Sequence, residues 1–372
     1  MPRASVATIW VRTARARYPV WVGAGLLRDA GRRLRGLRPR ARRLYLISSP
    51  RVWRLWGREV ARGARAAGLR CETLLMDDRE EAKRLVTVER LAEELLRRGA
   101  DRSALLAAFG GGVVGDVAGF LAASYMRGVD YVQIPTTLVG QVDSALGGKT
   151  GVNLRGGKNL LGAFHQPLAV LTDPHALASL PAREFRAGLY EVVKAAVIGD
   201  PALFRYLERR MGGVLAREET ALRTILVRSI RLKARIVSRD ERERGGRQVL
   251  NFGHTIGHAL ETLTGYQRLR HGEAVAYGML AATRLAARLG RVSAHEADRI
   301  LALVRAVGRL PALPRLAPER IYAQLQADKK RRGAERVFIL PRGVGRVEIT
   351  SDVPRATVLA ALRELRASAS AR

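Results

Sequence analysis

The sequence predicts an α/β domain built on a parallel sheet (residues 1–180), followed by a mainly α-helical domain (residues 181–372). Three observations lead there. Short apolar runs alternate with helical segments as far as Pro181, as in a sheet covered by helices on both faces. One of those runs, Leu105-Leu106-Ala107-Ala108-Phe109, opens directly into Gly110-Gly111-Gly112. Beyond Pro181 the texture changes to long helical periodicity, and a chain of 372 residues is long enough for two cores.

The elements follow in order. Thr8-Ile9-Trp10-Val11 and Tyr18-Pro19-Val20-Trp21-Val22 read as two short strands, the second closed by a Gly23-Ala24-Gly25 turn. Residues 44–49 form a buried parallel strand, with helices expected over 51–67 and 80–98. Strands at 105–109, 131–134 and 168–171 complete the sheet. Helical periodicity then covers 203–215, 221–238, 272–289 and 295–307. There is no internal repeat and no low-complexity linker.

Composition excludes several classes. No run of about 18 apolar residues is present, so no membrane span is expected. Arg3, Arg12, Arg15 and Arg17 near the start flank no hydrophobic block, unlike a secretory signal, although an Arg-rich, acid-poor start is shared with organelle transit peptides. The single Cys71 permits no internal disulfide and fits a reducing cytoplasm. A net charge of +32 ordinarily points to nucleic acid. Here 59 arginines spread over the whole length, aromatics are only 5%, and no nucleic-acid motif appears, so the charge reads as a chain-wide choice of Arg over Lys. Only seven lysines remain. Each marks a place where an ammonium is needed rather than a guanidinium.

Three motifs carry chemistry. Gly110-Gly111-Gly112 through Asp116 to Gly119 can bring backbone amides and a helix N-terminus to a diphosphate, although the spacing also suits a tight packing turn. Thr136 and Thr137 follow the next strand, as ligand contacts or as a helix N-cap. The run from Asp143 through Lys149 to Lys158 and Asn159 lacks the first glycine of a Walker A loop; it reads as a glycine-rich holder of phosphate or hydroxyls, or as a surface loop. Most specific is Asn251-Phe-Gly-His254-Thr-Ile-Gly-His258, which puts two imidazoles one helical turn apart. His271 follows, and Glu191 and Lys194 lie upstream on a helix. One Glu and two His would leave a zinc ion open positions for substrate, as catalytic sites require.

These segments, with RGVDYVQIPTT, LPAREFRAGLYEVVK, LNFGHTIGHALE and HGEAVAYGM, resemble the 3-dehydroquinate synthases of the sugar-phosphate cyclase family from about Arg79 to Lys330. The resemblance implies zinc, with Co²⁺ as an alternative, on Glu191, His254 and His271. It implies NAD⁺ across Gly111, Gly112, Asp116, Thr136 and Thr137, with Glu80 and Lys83 near the adenosine end and Lys149 and Lys158 also at the cofactor. Substrate contacts would come from Asp143, Lys149, Asn159, Lys194, Lys233, Arg247, Asn251 and His258. One of Lys329 and Lys330 would reach the phosphate, and Arg127 would enter from the partner of a homodimer. All seven lysines stand at or beside such positions. Departures from the family pattern are Arg79 for Gly, His165 for an aromatic residue, and Ala195-Ala196 for Tyr-Gly.

The implied activity converts 3-deoxy-D-arabino-heptulosonate 7-phosphate to 3-dehydroquinate by transient oxidation, phosphate elimination, reduction and aldol closure. Two enzyme classes share part of this pattern. Sibling cyclases of the 2-deoxy-scyllo-inosose or valiolone type share zinc, NAD⁺ and most motifs. Metal-dependent polyol dehydrogenases share the glycine turn and paired histidines, but have no use for so many phosphate-directed lysines.

Overall fold

A computed structural model describes residues 6–313, 316–332 and 337–370. The chain falls into two compact units, Met1–Pro181 with Leu222–Arg242, and Ala182–Ala221 with Glu243–Arg372.

The first unit holds a seven-stranded sheet. Ala7–Arg12 (β1) and Arg17–Val22 (β2) form an antiparallel pair, followed by helix Leu26–Leu37 (α1). Strand Arg43–Ser48 (β3) leads into Pro50–Val52 (α2), a π-turn at Trp53–Gly57, and Arg58–Ala66 (α3). Next come Arg70–Leu75 (β4), Leu85–Arg97 (α4), Leu105–Gly110 (β5), Gly112–Ser124 (α5), Asp130–Pro135 (β6), Lys149–Leu154 (β7), Gly157–Phe164 (β8) and Val170–Thr172 (β9). The sheet order is β1-β2-β9-β6-β5-β3-β4, and every pair except β1–β2 is parallel. Period-two alternation splits the apolar runs between two cores. Leu44, Leu46, Leu105, Ala107 and Phe109 pack against α1 and α3, whereas Tyr45, Ile47, Leu106 and Ala108 pack against α4 and α5. A strand buried on both faces needs apolar residues at every position, which is why these runs read as continuous.

The order β4-β3-β5-β6-β9 is the 2-1-3-4-5 winding, whose switch point lies between β3 and β5. Ligands of open α/β sheets bind at the carboxyl end of that point, and Gly110-Gly111-Gly112 stands there.

Structure and expectation differ at three places. The helix expected from residue 80 starts only at Leu85; Glu80–Ala82 is a 3₁₀ turn and Lys83 is non-helical. The cause is long-range, because the Lys83 carbonyl accepts from Asn153 N at 2.8 Å. The glycine-rich run after Asp143 is a hairpin, β7 against β8, rather than an irregular loop. Gly151 pairs with Gly162, and a Cβ at Gly162 would stand 2.1 Å from the Thr150 carbonyl, so close strand approach removed the side chains that would have displayed alternation. Finally, residues 222–242 group with the first unit although they follow the expected boundary near residue 180. Helical periodicity shows that a helix exists, not which core it joins.

The second unit is mainly helical: Ala182–Gly199 (α6), Pro201–Leu215 (α7), His254–Leu263 (α9), His271–Arg288 (α10), Ala294–Ala306 (α11), Pro318–Arg332 (α12) and Arg355–Ser370 (α13). Glu219–Arg239 (α8) belongs mostly to the first unit. An antiparallel hairpin, Phe338–Gly343 (β10) with Arg346–Thr350 (β11), completes the fold. α10 is buried along most of its length and packs on α6, α9, α11, α13 and β10. Among the described residues no helix is long and apolar enough to cross a membrane.

Glycine permits the close crossings of α10. A Cβ at Gly278 would lie 1.8 Å from the Gly253 carbonyl, and one at Gly272 would lie 1.9 Å from the Ala187 carbonyl. Both obstacles are backbone and cannot swing aside. Gly278→Ala is therefore expected to destabilise the fold by about 1–3 kcal/mol, the usual range for overpacking, read as a lowered midpoint in urea. An unchanged midpoint would mean that α9 and α10 can part without cost.

Candidate active site

In the first unit the glycine turn is a cradle. A Cβ at Gly111 would meet Thr137 Cγ2 at 3.0 Å, and one at Gly112 would meet Ser144 Oγ at 3.2 Å. No side chain caps the N-terminus of α5, which leaves the first amides of that helix for an anion. Thr137 acts as an N-cap, since its Oγ1 accepts from Gly140 N at 3.1 Å. Beside the cradle the Lys83 ammonium, 4% exposed, donates to Asp116 Oδ2 and Asn159 Oδ1, each at 2.5 Å. Burial raises the Asp116 carboxyl pKa against the downward pull of Lys83.

The hairpin is laced to the 3₁₀ turn. Asn153 Nδ2 donates to Glu80 Oε1 at 2.8 Å, Lys158 Nζ stands 3.6 Å from that oxygen, and Asn159 N donates to Asn153 Oδ1 at 2.9 Å. Asn159 takes a left-handed φ of 56°, and Lys149, first residue of β7, is exposed. Lys233 on α8 donates to the Asp143 carbonyl at 2.7 Å and pairs with the Asp143 carboxylate. The unit thus joins Glu80, Lys83, Asp116, Lys158 and Asn159 in one group and Asp143 with Lys233 in another.

The second unit gathers the histidines. Glu191 lies mid-helix in α6, while His254 and His271 are the first residues of α9 and α10. His254 Nε2 is 3.7 Å and His271 Nε2 is 3.5 Å from Glu191 Oε1. Two donors 2.0–2.1 Å from a tetrahedral zinc stand about 3.4 Å apart, so these spacings fit a metal with almost no movement. Burial first, and then the neighbouring Lys194 ammonium, push His254 well below its ordinary pKa, leaving a neutral ring. Burial also opposes charge on His271, yet hydrogen bonds to Glu191 and Glu261 outweigh it and carry that ring up to about 10. Two buried carboxylates therefore favour a cation at this place. Lys194, 3% exposed, pairs with Glu191. The His258 ring centroid lies 5.3 Å from that of His254 and 6.0 Å from that of His271.

Other residues expected at the site lie in turns and on α12. Arg247 is buried in the turn Gly246–Asn251. Asn251 Nδ2 donates to Glu243 Oε1 at 2.8 Å. Arg127 is exposed at the end of the turn Tyr125–Arg127, in the first unit. Lys329 and Lys330 belong to α12, but their side chains lie outside the described residues. Sequence reasoning missed Asn153, Glu243 and Glu261. Only Glu261 left a signal, being seven residues, two helical turns, from His254.

The departures from the family pattern have local explanations. Arg79 has φ −74° and pairs with Asp77, so no glycine conformation is needed there. The His165 ring stacks on Tyr131 with centroids 5.2 Å apart, doing the work of an aromatic residue. Ala195 and Ala196 are simply buried in α6.

Comparison with known proteins bears on this geometry. Residues 73–187 match the family model of the 3-dehydroquinate synthase N-terminal part, and residues 188–331 match that of the C-terminal part. The chain belongs to the 3-dehydroquinate synthase family. It is 45% identical over 356 residues to the 3-dehydroquinate synthase of Koribacter versatilis, covering 96% of this chain and 97% of that one. It is 46% identical over 353 residues to that of Solibacter usitatus, covering 95% and 98%. Solved structures extend the synthase family's likeness to its siblings. A 2-epi-5-epi-valiolone synthase from Streptomyces hygroscopicus, with NAD⁺ and Zn²⁺ bound, matches with TM-score 0.86 and 33% identity over 94% of this chain and 97% of that one. A 2-deoxy-scyllo-inosose synthase complexed with carbaglucose-6-phosphate, NAD⁺ and Co²⁺ matches with TM-score 0.86 and 28% identity, over 96% and 99%. A probable glycerol dehydrogenase from Sinorhizobium meliloti, at 18% identity and TM-score 0.61, shares the fold.

Proposed function

We propose that this protein is a 3-dehydroquinate synthase, a phosphate-eliminating lyase that uses NAD⁺ and zinc on 3-deoxy-D-arabino-heptulosonate 7-phosphate. The observation that carries the reading is the Glu191–His254–His271 group, its first two members buried, at metal-ligand spacing beside Lys194, in a chain 45% identical to named synthases. When bound, zinc would polarise a substrate hydroxyl and NAD⁺ would take up and return its hydride. The chain's own residues do the rest. Gly111, Gly112 and the N-terminus of α5 hold the dinucleotide's diphosphate. Lys194 places a positive charge beside Glu191 and offers N–H donors to substrate oxygens. His258, one turn after His254, moves protons at the substrate through its imidazole. Arg247 holds the substrate carboxylate through its planar fork, and Lys233 serves as a substrate contact. The enzyme works in the cytoplasm as a homodimer.

The carboxylate separates this reading from the sibling cyclases, whose substrates lack it. Arg247→Ala should cost about 2–4 kcal/mol of transition-state binding, roughly 30- to 900-fold in kcat/KM. The measurement couples phosphate release to dehydroquinate formation. Activity within threefold of the parent would refute the substrate assignment, and turnover of a hexose 6-phosphate instead would favour the inosose reading.

A further inference from the structure

His271 is held from two sides. Its Nε2 faces Glu191 Oε1 at 3.5 Å, and its Nδ1 faces Glu261 Oε2 at 3.3 Å. Glu261 is on α9, its side chain 7% exposed. An ionised carboxylate only accepts hydrogen bonds, so with a metal on the Nε2 side, toward Glu191, the Nδ1 that faces Glu261 would keep its proton. Two groups of donors compete for a metal here, Glu191–His254–His271 and His258–Glu261–His271, with His271 common to both. The first would take the ring through Nε2 and leave Glu261 as an outer acceptor. The second would take Glu261 as a ligand.

We propose that Glu261 is the positioning residue of the metal centre. It fixes the Nδ1–H tautomer and the ring angle of His271, so that Nε2 faces Glu191 and His254 and the second group stays metal-free. The inference rests on the metal-site reading above and deepens it. The packing supports it: α9 carries both His254 and Glu261, so one rigid helix delivers a ligand and the group that orients the next ligand. Outer carboxylates of this kind raise ligand basicity, and losing one typically weakens metal binding about 10- to 100-fold.

The test measures zinc affinity of the full-length chain by competition with a chromophoric chelator, together with imidazole ¹⁵N–¹H spectra of the zinc-loaded protein. The parent should bind one zinc and show a downfield proton on Nδ1 of His271. Glu261→Ala should weaken zinc about 10- to 100-fold. Glu261→Gln, which keeps an acceptor oxygen but loses the charge, should weaken it less and move the Nδ1 proton upfield. A change in packing alone would not move that proton in the isosteric variant. Affinity within twofold of the parent, with an unmoved Nδ1 signal, overturns the inference, and Glu261→Gln suffices for this where Glu261→Ala fails to fold. Loss of zinc in Glu261→Gln as complete as in His254→Ala, together with Nδ1 of His271 metal-bound in the zinc-loaded parent, also overturns it, by making Glu261 a ligand. A parent that binds no zinc overturns the metal-site reading and this inference with it, whereas zinc in the parent with unaffected variants overturns the inference alone.

Discussion

His254→Ala is expected to yield a folded protein without metal and at least about 1000-fold less active, because Lewis-acid stabilisation worth several kcal/mol is lost with the ion. The ring is 8% exposed, and burial keeps it neutral, so in the parent its lone pair is available at any physiological pH. Removing it leaves Glu191 and His271 as two ligands, too few for a tetrahedral site that must also keep a position open for substrate. Glu191→Gln and His271→Ala should lose the metal in the same way. His258→Ala is the control, since its ring lies beyond the triad and should be dispensable for binding although not for turnover. Elemental analysis reads all four, and chelation followed by added zinc should abolish and restore turnover in the parent. A full complement of zinc in His254→Ala would overturn the ligand set.

Much of this arrangement was legible in the residues because it rests on local rules. The strand is apolar throughout residues 44–47 because α3 and α4 cover opposite faces of the sheet, and His254 and His258 share a face because α9 has 3.6 residues per turn. Lysine was informative against a background of arginine. Lys83, Lys194 and Lys233 are each at most 8% exposed and paired with Asp116, Glu191 and Asp143, in spaces that suit a compact ammonium better than a planar fork. What stayed hidden depends on distant partners. The helix begins after Lys83 rather than before it because Asn153, 70 residues on, takes the Lys83 carbonyl. The hairpin's glycines carry no alternation to read. Glu243 reaches Asn251 from a left-handed φ of 57° that no propensity suggests for a glutamate. Residues 222–242 look like any other amphipathic helix until the core they join is seen.

The expected behaviour of Arg127 follows from strain as well as from resemblance. Met126 and Arg127 both have left-handed backbones, φ 50° and 68°, and Gly128 follows at φ 123°. Non-glycine residues in that region cost of order 1–3 kcal/mol each and persist where the surroundings enforce them. Here the enforcing contacts are visible. Tyr125 Oη donates to the Ala100 carbonyl at 2.7 Å, and Gly128 N and Val129 N donate to the carbonyls of Tyr125 and Ala122 at 2.8 Å each. The result is an exposed guanidinium on a turn that a relaxed surface loop would not adopt. In a two-fold dimer each Arg127 would then complete its partner's site. Arg127→Ala and His254→Ala homodimers should each be nearly inactive. In a mixed dimer one site inherits both lesions and the other neither, so random pairing should restore about a quarter of parental activity. Subunit exchange is verified with tagged chains. If exchange is complete and activity stays at the level of the two parents, Arg127 serves its own chain and the shared-site arrangement is wrong.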